Sequence, residues 1–307
     1  MKKILITGGA GFIGTNLISF LNNHSDNYKI GVIDNESLGK RIDIQGNIIN
    51  YHCLDIKNNN SFDLLDYEYD TVIHLAASTR VIESIEKPSL MIDNNVIGTF
   101  RLLEYCRKRN IKNVVIASTG GAIIGEESGL ISELSRPNPI SPYGASKLFI
   151  EALSNSYCVN YGMEIACLRF SNVYGPRSHR KESVIANFFK RIKNGQEIII
   201  FGDGLQERDY IYVDDISKVI FNCISKEISG VFQIATGKST NINYIISCMK
   251  DIVGSDFNSK IEYHEKRKGE VNKTKFDISK ARKLLNFESE IDINRGLKET
   301  WEWFLKN

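Results

Sequence analysis

Three glycines, Gly8-x-x-Gly11-x-x-Gly14, stand where the apolar run Lys2 to Thr7 gives way to an amphipathic stretch, and no other feature narrows the fold so far. Glycine permits a tight strand-to-helix turn, close backbone approach to a pyrophosphate and close packing of helix on sheet, while the helix N-terminus attracts anions. A lone glycine triplet is common, but here a second apolar run ends in Asp34, twenty residues beyond Gly14. A carboxylate at that place accepts both hydroxyls of an adenosine ribose and repels a 2′-phosphate. The combination predicts a dinucleotide site that prefers NAD to NADP. Asp55, closing a third run, is placed to bond the adenine edge.

Short apolar runs at 2–7, 29–34, 47–55, 70–76, 113–118 and 164–170 alternate with helical patterns. That alternation predicts an α/β fold, a Rossmann-type doubly wound parallel sheet with crossover helices. One helix is expected over 89–109, with Pro88 in its first turn and Arg107 to Arg109 at its negative end, and another over 143–161. Beyond Asn172 the periodicity loosens, with short strands in "EIIIFGDG" and "KIEYH" and a closing amphipathic segment, "INRGLKETWEWFLK". The expected division is 1–172, a NAD-binding domain rejoined by segments near 210–235, and 173–307, a smaller α/β substrate-binding domain. With no linker between them, a ligand cleft belongs at their junction.

Charge and cysteine usage exclude several classes. Lys plus Arg total 39 against 37 Asp plus Glu, so no net field favours nucleic acid. The six cysteines show neither Cys-x-x-Cys pairing nor metal-ligand spacing, which points away from a zinc site or disulfide framework and toward a reducing, cytoplasmic setting. The apolar run after Lys2 and Lys3 stops at Thr7, too short for a signal peptide, and no stretch approaches the ~20 apolar residues of a membrane span.

"SPYGASK", 141–147, places Tyr143 and Lys147 roughly one helical turn apart, on one side of a helix. Alone, the spacing is as compatible with an amphipathic surface as with chemistry. Its neighbours in the chain decide: "TGGAGFIG", "HLAA" (74–77), "DNNVIGT" (93–99), "SPYGASK", "LRFSNVYGPR" (168–177), "GDGLQERDYIYVDD" (202–215) and "RKGEV" (267–271) run nearly end to end. In that order they resemble the extended short-chain dehydrogenase/reductases, of the nucleotide-sugar epimerase and dehydratase branch, with UDP-hexose 4-epimerases the nearest match.

The resemblance implies a Tyr143 general base, with Lys147 holding the nicotinamide ribose, and a hydroxyl at the end of the fifth strand. An ammonium and a cationic nicotinamide ring would lower the phenol from its usual ~10. Relatives read Ser-Ser-x-x-Val-Tyr-Gly where this chain has "ASTGGAIIG" (117–125); one extra loop residue nominates Thr119, with Ser118 the alternative, and Ile124 replaces the usual tyrosine. The implied cofactor contacts are Gly8, Gly11, Phe12, Ile13, Gly14, Asp34, Asn35, Asp55, Ile56, Leu75, Ala76, Ala77, Asn94, Tyr143 and Lys147. The implied UDP-sugar contacts are Thr79, Thr119, Asn172 (phosphates), Val184, Phe201, Arg208 and Arg267 (diphosphate), Glu270 (ribose) and Thr274. Arg208 and Arg267 are equally readable as ion pairs with Glu207 and Glu270.

Dehydratases of this family carry Asp-Glu directly after the threonine, and related decarboxylases a glutamate; Gly120 and Gly121 stand there instead. Reversible oxidation at C4 of a UDP-hexose through a 4-keto sugar, that is 4-epimerisation, is the expected reaction. A tyrosine crowds an N-acetyl group at the place of Thr274 in some relatives, so threonine implies tolerance of UDP-GlcNAc and UDP-GalNAc. The basic run "GPRSHRKES" (175–183) keeps UDP-glucuronate open as a substrate. The resemblance also admits a dehydratase, a 4-keto reductase or a non-catalytic NAD-sensing protein. The two long helices imply a homodimer, by family analogy.

Overall fold

The computed structural model describes residues 1–24, 27–125, 127, 129–226, 228–266 and 273–307. Its first part runs Lys2–Thr7 (β1), Phe12–His24 (α1), Tyr28–Asp34 (β2), Asn50–Cys53 (β3), Thr71–His74 (β4), Val81–Glu86 (α2), Gly98–Lys108 (α3), Asn113–Thr119 (β5), Gly121–Ile124 (α4), Pro142–Tyr161 (α5) and Glu164–Phe170 (β6). The second part runs Asn172–Tyr174 (β7), Val184–Lys193 (α6), Ile198–Phe201 (β8), Glu207–Arg208 (β9), Tyr210–Tyr212 (β10), Val213–Lys226 (α7), Gly230–Ile234 (β11), Thr240–Asn241 (β12), Ile242–Val253 (α8), Ile261–His264 (β13), Ser279–Leu285 (α9) and Ile293–Lys306 (α10).

Seven strands form one parallel sheet in the order β11-β6-β5-β4-β1-β2-β3. The chain winds outward from β1 to β3, then returns to lay β4 on the other side of β1. That reversal opens a crevice at the carboxyl ends of β1 and β4, where ligands bind in such sheets. The apolar runs are continuous because both faces are covered. Ile4 and Ile6 enter the core beneath α1 and α7, whereas Leu5 enters the opposite core beneath α3 and α5. A third cluster, including Phe189, Met249, Leu297 and Trp301, holds α6, α8 and α10 together beside the sheet.

The six strands and the helix over 143–161 lie where the sequence places them. α5 begins under a cap, Ser141 Oγ accepting from the Gly144 amide at 3.1 Å, has Pro142 in its first turn, and ends at Gly162 with φ +61. The helix expected over 89–109 is divided: Met91–Ile97 winds as a π-helical turn before α3 begins. The wider turn brings two successive asparagines to Ser78. Asn94 Nδ2 donates to Ser78 Oγ at 2.9 Å, while Asn95 receives the Ser78 amide at 2.8 Å and donates to its carbonyl at 3.0 Å. Hydrophobic periodicity carries no sign of such a turn.

Candidate active site

β1 delivers the glycine turn to the crevice. Gly8 has φ +72, and a Cβ there would lie 2.6 Å from the Ala76 amide nitrogen; one on Gly14 would lie 2.4 Å from the Gly8 carbonyl oxygen. Only glycine lets this backbone lie so close to its neighbours and leaves the start of α1 open to a diphosphate. Asp34, buried behind the turn, accepts the Ala10 amide at 3.0 Å and the Glu36 amide at 2.8 Å, and burial raises its pKa. The carboxylate thus braces the turn. The residues present fit a dinucleotide: a cradle that side chains would fill, a helix N-terminus, and an acid at the end of β2.

A cleft of about 1450 Å³ runs from this turn into the second half of the chain. It brings together Gly8, Gly11, Phe12, Ile13, Gly14, Leu75, Ala77, Thr79, Thr119, Tyr143, Lys147, Asn172, Val184, Phe201, Arg208 and Thr274 of the residues expected from the sequence. Asp34, Asn35, Asp55, Ile56, Ala76 and Asn94 are not on its wall. Asn35 donates to Asp55 at 3.0 Å, and Lys57 reaches Asp55 at 3.4 Å and Asn94 at 3.3 Å, so Asn35, Asp55, Lys57 and Asn94 form a polar chain. Ile56 is core, packed against Gly98. Arg267 and Glu270 lie outside the described residues.

Tyr143 and Lys147 point from one face of α5 toward the end of β5, both nearly buried. The Thr119 hydroxyl lies beside the Tyr143 phenol on the same cleft wall and favours its ionised form, and Lys147 Nζ donates to the Ala117 carbonyl at 2.8 Å. Ser118 is otherwise engaged: its hydroxyl donates to Glu151 at 2.6 Å inside the core. Of the two candidate hydroxyls, therefore, only Thr119 faces the phenol. Burial pushes Tyr143 up to about 12, opposed by the Thr119 hydroxyl, and pulls Lys147 down to about 8. This departs from the expectation of a lysine-acidified phenol. The protein alone holds Tyr143 protonated, since burial raises its pKa and Lys147 spends its bond on a carbonyl.

Two sequence oddities have structural causes. A Cβ on Gly120 would lie 2.7 Å from Phe276 and 2.8 Å from the Gln233 carboxamide, so no acid fits there without moving both. Ile124, in place of a tyrosine, is buried with Ile123, Ile131, Phe276 and Ile278 in a small core under the loop. On the far wall, Glu207 pairs with Lys273 at 2.7 Å rather than with Arg208, whose guanidinium donates to the Glu207 carbonyl at 2.9 Å. Asn172 Nδ2 donates to the Asp209 carbonyl at 3.0 Å. Thr274 is buried on the cleft wall, its hydroxyl without a protein partner among the described residues.

The sheet order, glycine cradle and Tyr143/Lys147/Thr119 cluster together define a dinucleotide-dependent enzyme of the short-chain dehydrogenase/reductase type. The chain belongs to the NAD dependent epimerase/dehydratase family, whose model matches residues 4–235. It is similar to a Thermotoga maritima UDP-glucose 4-epimerase solved with UDP-glucose, 36% identical with TM-score 0.93 over 99% of both chains. A UDP-N-acetylglucosamine 4-epimerase from Methanobrevibacter ruminantium, solved with UDP-N-acetylmuramic acid, is 32% identical with TM-score 0.92, covering 99% of this chain and 98% of that one. A UDP-glucuronate 4-epimerase from Thermodesulfobacterium geofontis is 34% identical over 100% of this chain and 97% of its own length. No helix among the described residues is long and apolar enough to cross a membrane.

Proposed function

We propose that this protein is an NAD-dependent UDP-hexose 4-epimerase in which Tyr143, Thr119 and Lys147 carry the chemistry. The observation that supports it most is the convergence of Thr119, Tyr143 and Lys147 on one cleft with the glycine turn, at the end of β5. NAD, when bound, supplies a hydride acceptor at C4 and a positive charge that stabilises a phenolate. Tyr143 takes the proton of the 4-hydroxyl and returns it to the product alcohol. Thr119 donates to the phenol oxygen, favouring its ionised form, and Lys147 orients the nicotinamide ribose. Inversion needs the 4-keto sugar to present its other face to the same tyrosine, and a cleft of about 1450 Å³ leaves room for that turn.

Elimination is disfavoured because the position after Thr119 is the crowded Gly120, with no carboxyl group. Arg208 and Asn172, both on the cleft wall, are placed for the sugar-nucleotide diphosphate. The small Thr274 favours N-acetylated UDP-hexoses alongside the plain ones. A homodimer built on α3 and α5 accords with Phe100 and Phe149, exposed on these helices. Incubating the purified protein with UDP-glucose, UDP-GlcNAc and UDP-glucuronate and following C4 configuration by NMR tests the reading. Inversion without net NADH accumulation supports it; loss of the 6-hydroxyl or stoichiometric NADH consumption would replace it with a dehydratase or reductase.

A further inference from the structure

Residues 176–181 cross from the second half of the chain onto the walls of the dinucleotide crevice. Asn16 Nδ2, in α1, donates to the Pro176 carbonyl at 3.0 Å. Arg177 donates to the Thr15 carbonyl at 3.1 Å and to Gln45 Oε1 at 2.7 Å. Arg180 donates to the Leu38 carbonyl at 3.0 Å and pairs with Asp43 at 2.8 Å. His179 stacks on Trp303 with ring centroids 5.3 Å apart. Arg177 and Arg180 are thus tied to the opposite wall, and His179 to a ring of α10.

Lys181 differs. Its Nζ donates to the Val173 carbonyl at 2.8 Å and sits 5.0 Å from the Phe12 ring centroid, and no carboxylate pairs with it among the described residues. Phe12 is the first residue of α1, next to Gly11, and both it and Lys181 line the cleft. Partial burial pulls the ammonium down to about 8, and among the described residues no opposite charge offsets it. Withdrawing a cation from water beside one carbonyl and one ring is costly, and an arriving anion would relieve that cost. The anion expected at the start of α1 is a diphosphate.

We propose that Lys181 is a further cofactor-binding residue, which holds a diphosphate oxygen of the dinucleotide from the segment that crosses the glycine turn. The inference rests on the dinucleotide site rather than on the sugar turned over, so a protein that binds NAD without inverting UDP-hexoses would leave it standing. Lys181→Met keeps the stem that packs on Phe12 and removes the charge. Its binding of NAD, ADP-ribose and adenosine, measured by calorimetry on protein stripped of nucleotide, separates the diphosphate from the rest of the ligand. Loss of one charge-assisted hydrogen bond weakens NAD and ADP-ribose alike by roughly ten- to a hundredfold and leaves adenosine unchanged. Wild type should lose affinity for NAD with added salt more steeply than the variant.

Equal weakening of adenosine, unchanged ADP-ribose binding, or a loss confined to turnover of UDP-glucuronate would each overturn the assignment. The last would transfer Lys181 to a sugar carboxylate. If Lys181→Met does not fold, Lys181→Gln retains a donor for the Val173 carbonyl without the charge, and the same loss is expected of it.

Discussion

Glu151 and Arg169 meet in a buried bidentate pair, Nε to Oε1 at 2.9 Å and Nη2 to Oε2 at 2.7 Å, joining α5 to β6. Ser118 of β5 donates to the same Oε1 at 2.6 Å. One turn earlier on α5, Lys147 bonds the carbonyl of Ala117, the residue before Ser118. Successive turns of the helix therefore grip successive residues of the strand, which fixes the height at which Tyr143 meets Thr119. Breaking one side of such a pair leaves a buried charge. Glu151→Gln should cost about 3–5 kcal/mol in denaturant unfolding, whereas Ser118→Ala should cost about 1 kcal/mol. Replacing the pair together, Glu151→Leu with Arg169→Met, should recover much of the loss.

The same geometry separates two neighbouring hydroxyls. Thr119→Val removes the hydroxyl beside the phenol and should lower kcat about ten- to a hundredfold, while Ser118→Ala, acting only on the core, should lower it by no more than a few-fold. Tyr143→Phe should reduce kcat by about 10²–10⁴ with NAD still bound, the range expected for loss of a general acid/base group. Initial rates alongside bound NAD per chain check all three. Equal sensitivity at 118 and 119 would count against Thr119 as the donor.

His74 gives a pH dependence that does not involve catalysis. Its ring lies between the Thr7 and Thr99 hydroxyls, at 2.7 and 2.8 Å, and burial, with the nearby Lys147 charge, lowers its pKa to about 3. The unfolded chain binds this proton near pH 6.5 and the folded protein does not, so stability is full above about 6.5 and is lost as pH falls toward 3. Between pH 7 and 5 the loss from this group is about 2 kcal/mol at ~1.4 kcal/mol per unit. Urea midpoints at the two pH values measure it. A His74→Asn protein should be less stable at pH 7 yet lose less between them.

The sheet was legible because a buried parallel strand needs apolar side chains on both faces, which leaves runs such as "KILIT" and "NVVIAS" in the sequence. β11 was not, since its core residue Gln233 interrupts so short a run. Tyr143, Lys147 and the glycine turn were legible from spacing, a local property. The choice between Ser118 and Thr119 was not, because both carry a hydroxyl and only the long-range partner Glu151 removes one of them. Nor did the sequence show that Arg177 and Arg180 are tied to the opposite wall, while Lys181 sits over the Phe12 ring at the start of α1.

Thr274 offers the sharpest test of sugar choice. Its Cγ2 lies 3.9 Å from where a Cβ on Gly121 would be, and Thr119, Tyr143 and Thr274 line one cleft. A tyrosine there would project a ring into the cleft, and on the reading proposed above it would meet the sugar's C2 substituent, where an N-acetyl group is larger than a hydroxyl by several heavy atoms. Sterically, even one excess methylene discriminates by ~10–200-fold. Thr274→Tyr should therefore depress kcat/KM for UDP-GlcNAc about a hundredfold or more while that for UDP-glucose changes by a few-fold. Parallel turnover of both sugars by wild type and variant, read by NMR of the C4 proton, decides it. If the ratio does not move, the N-acetyl group lies elsewhere, and position 274 has no part in sugar choice.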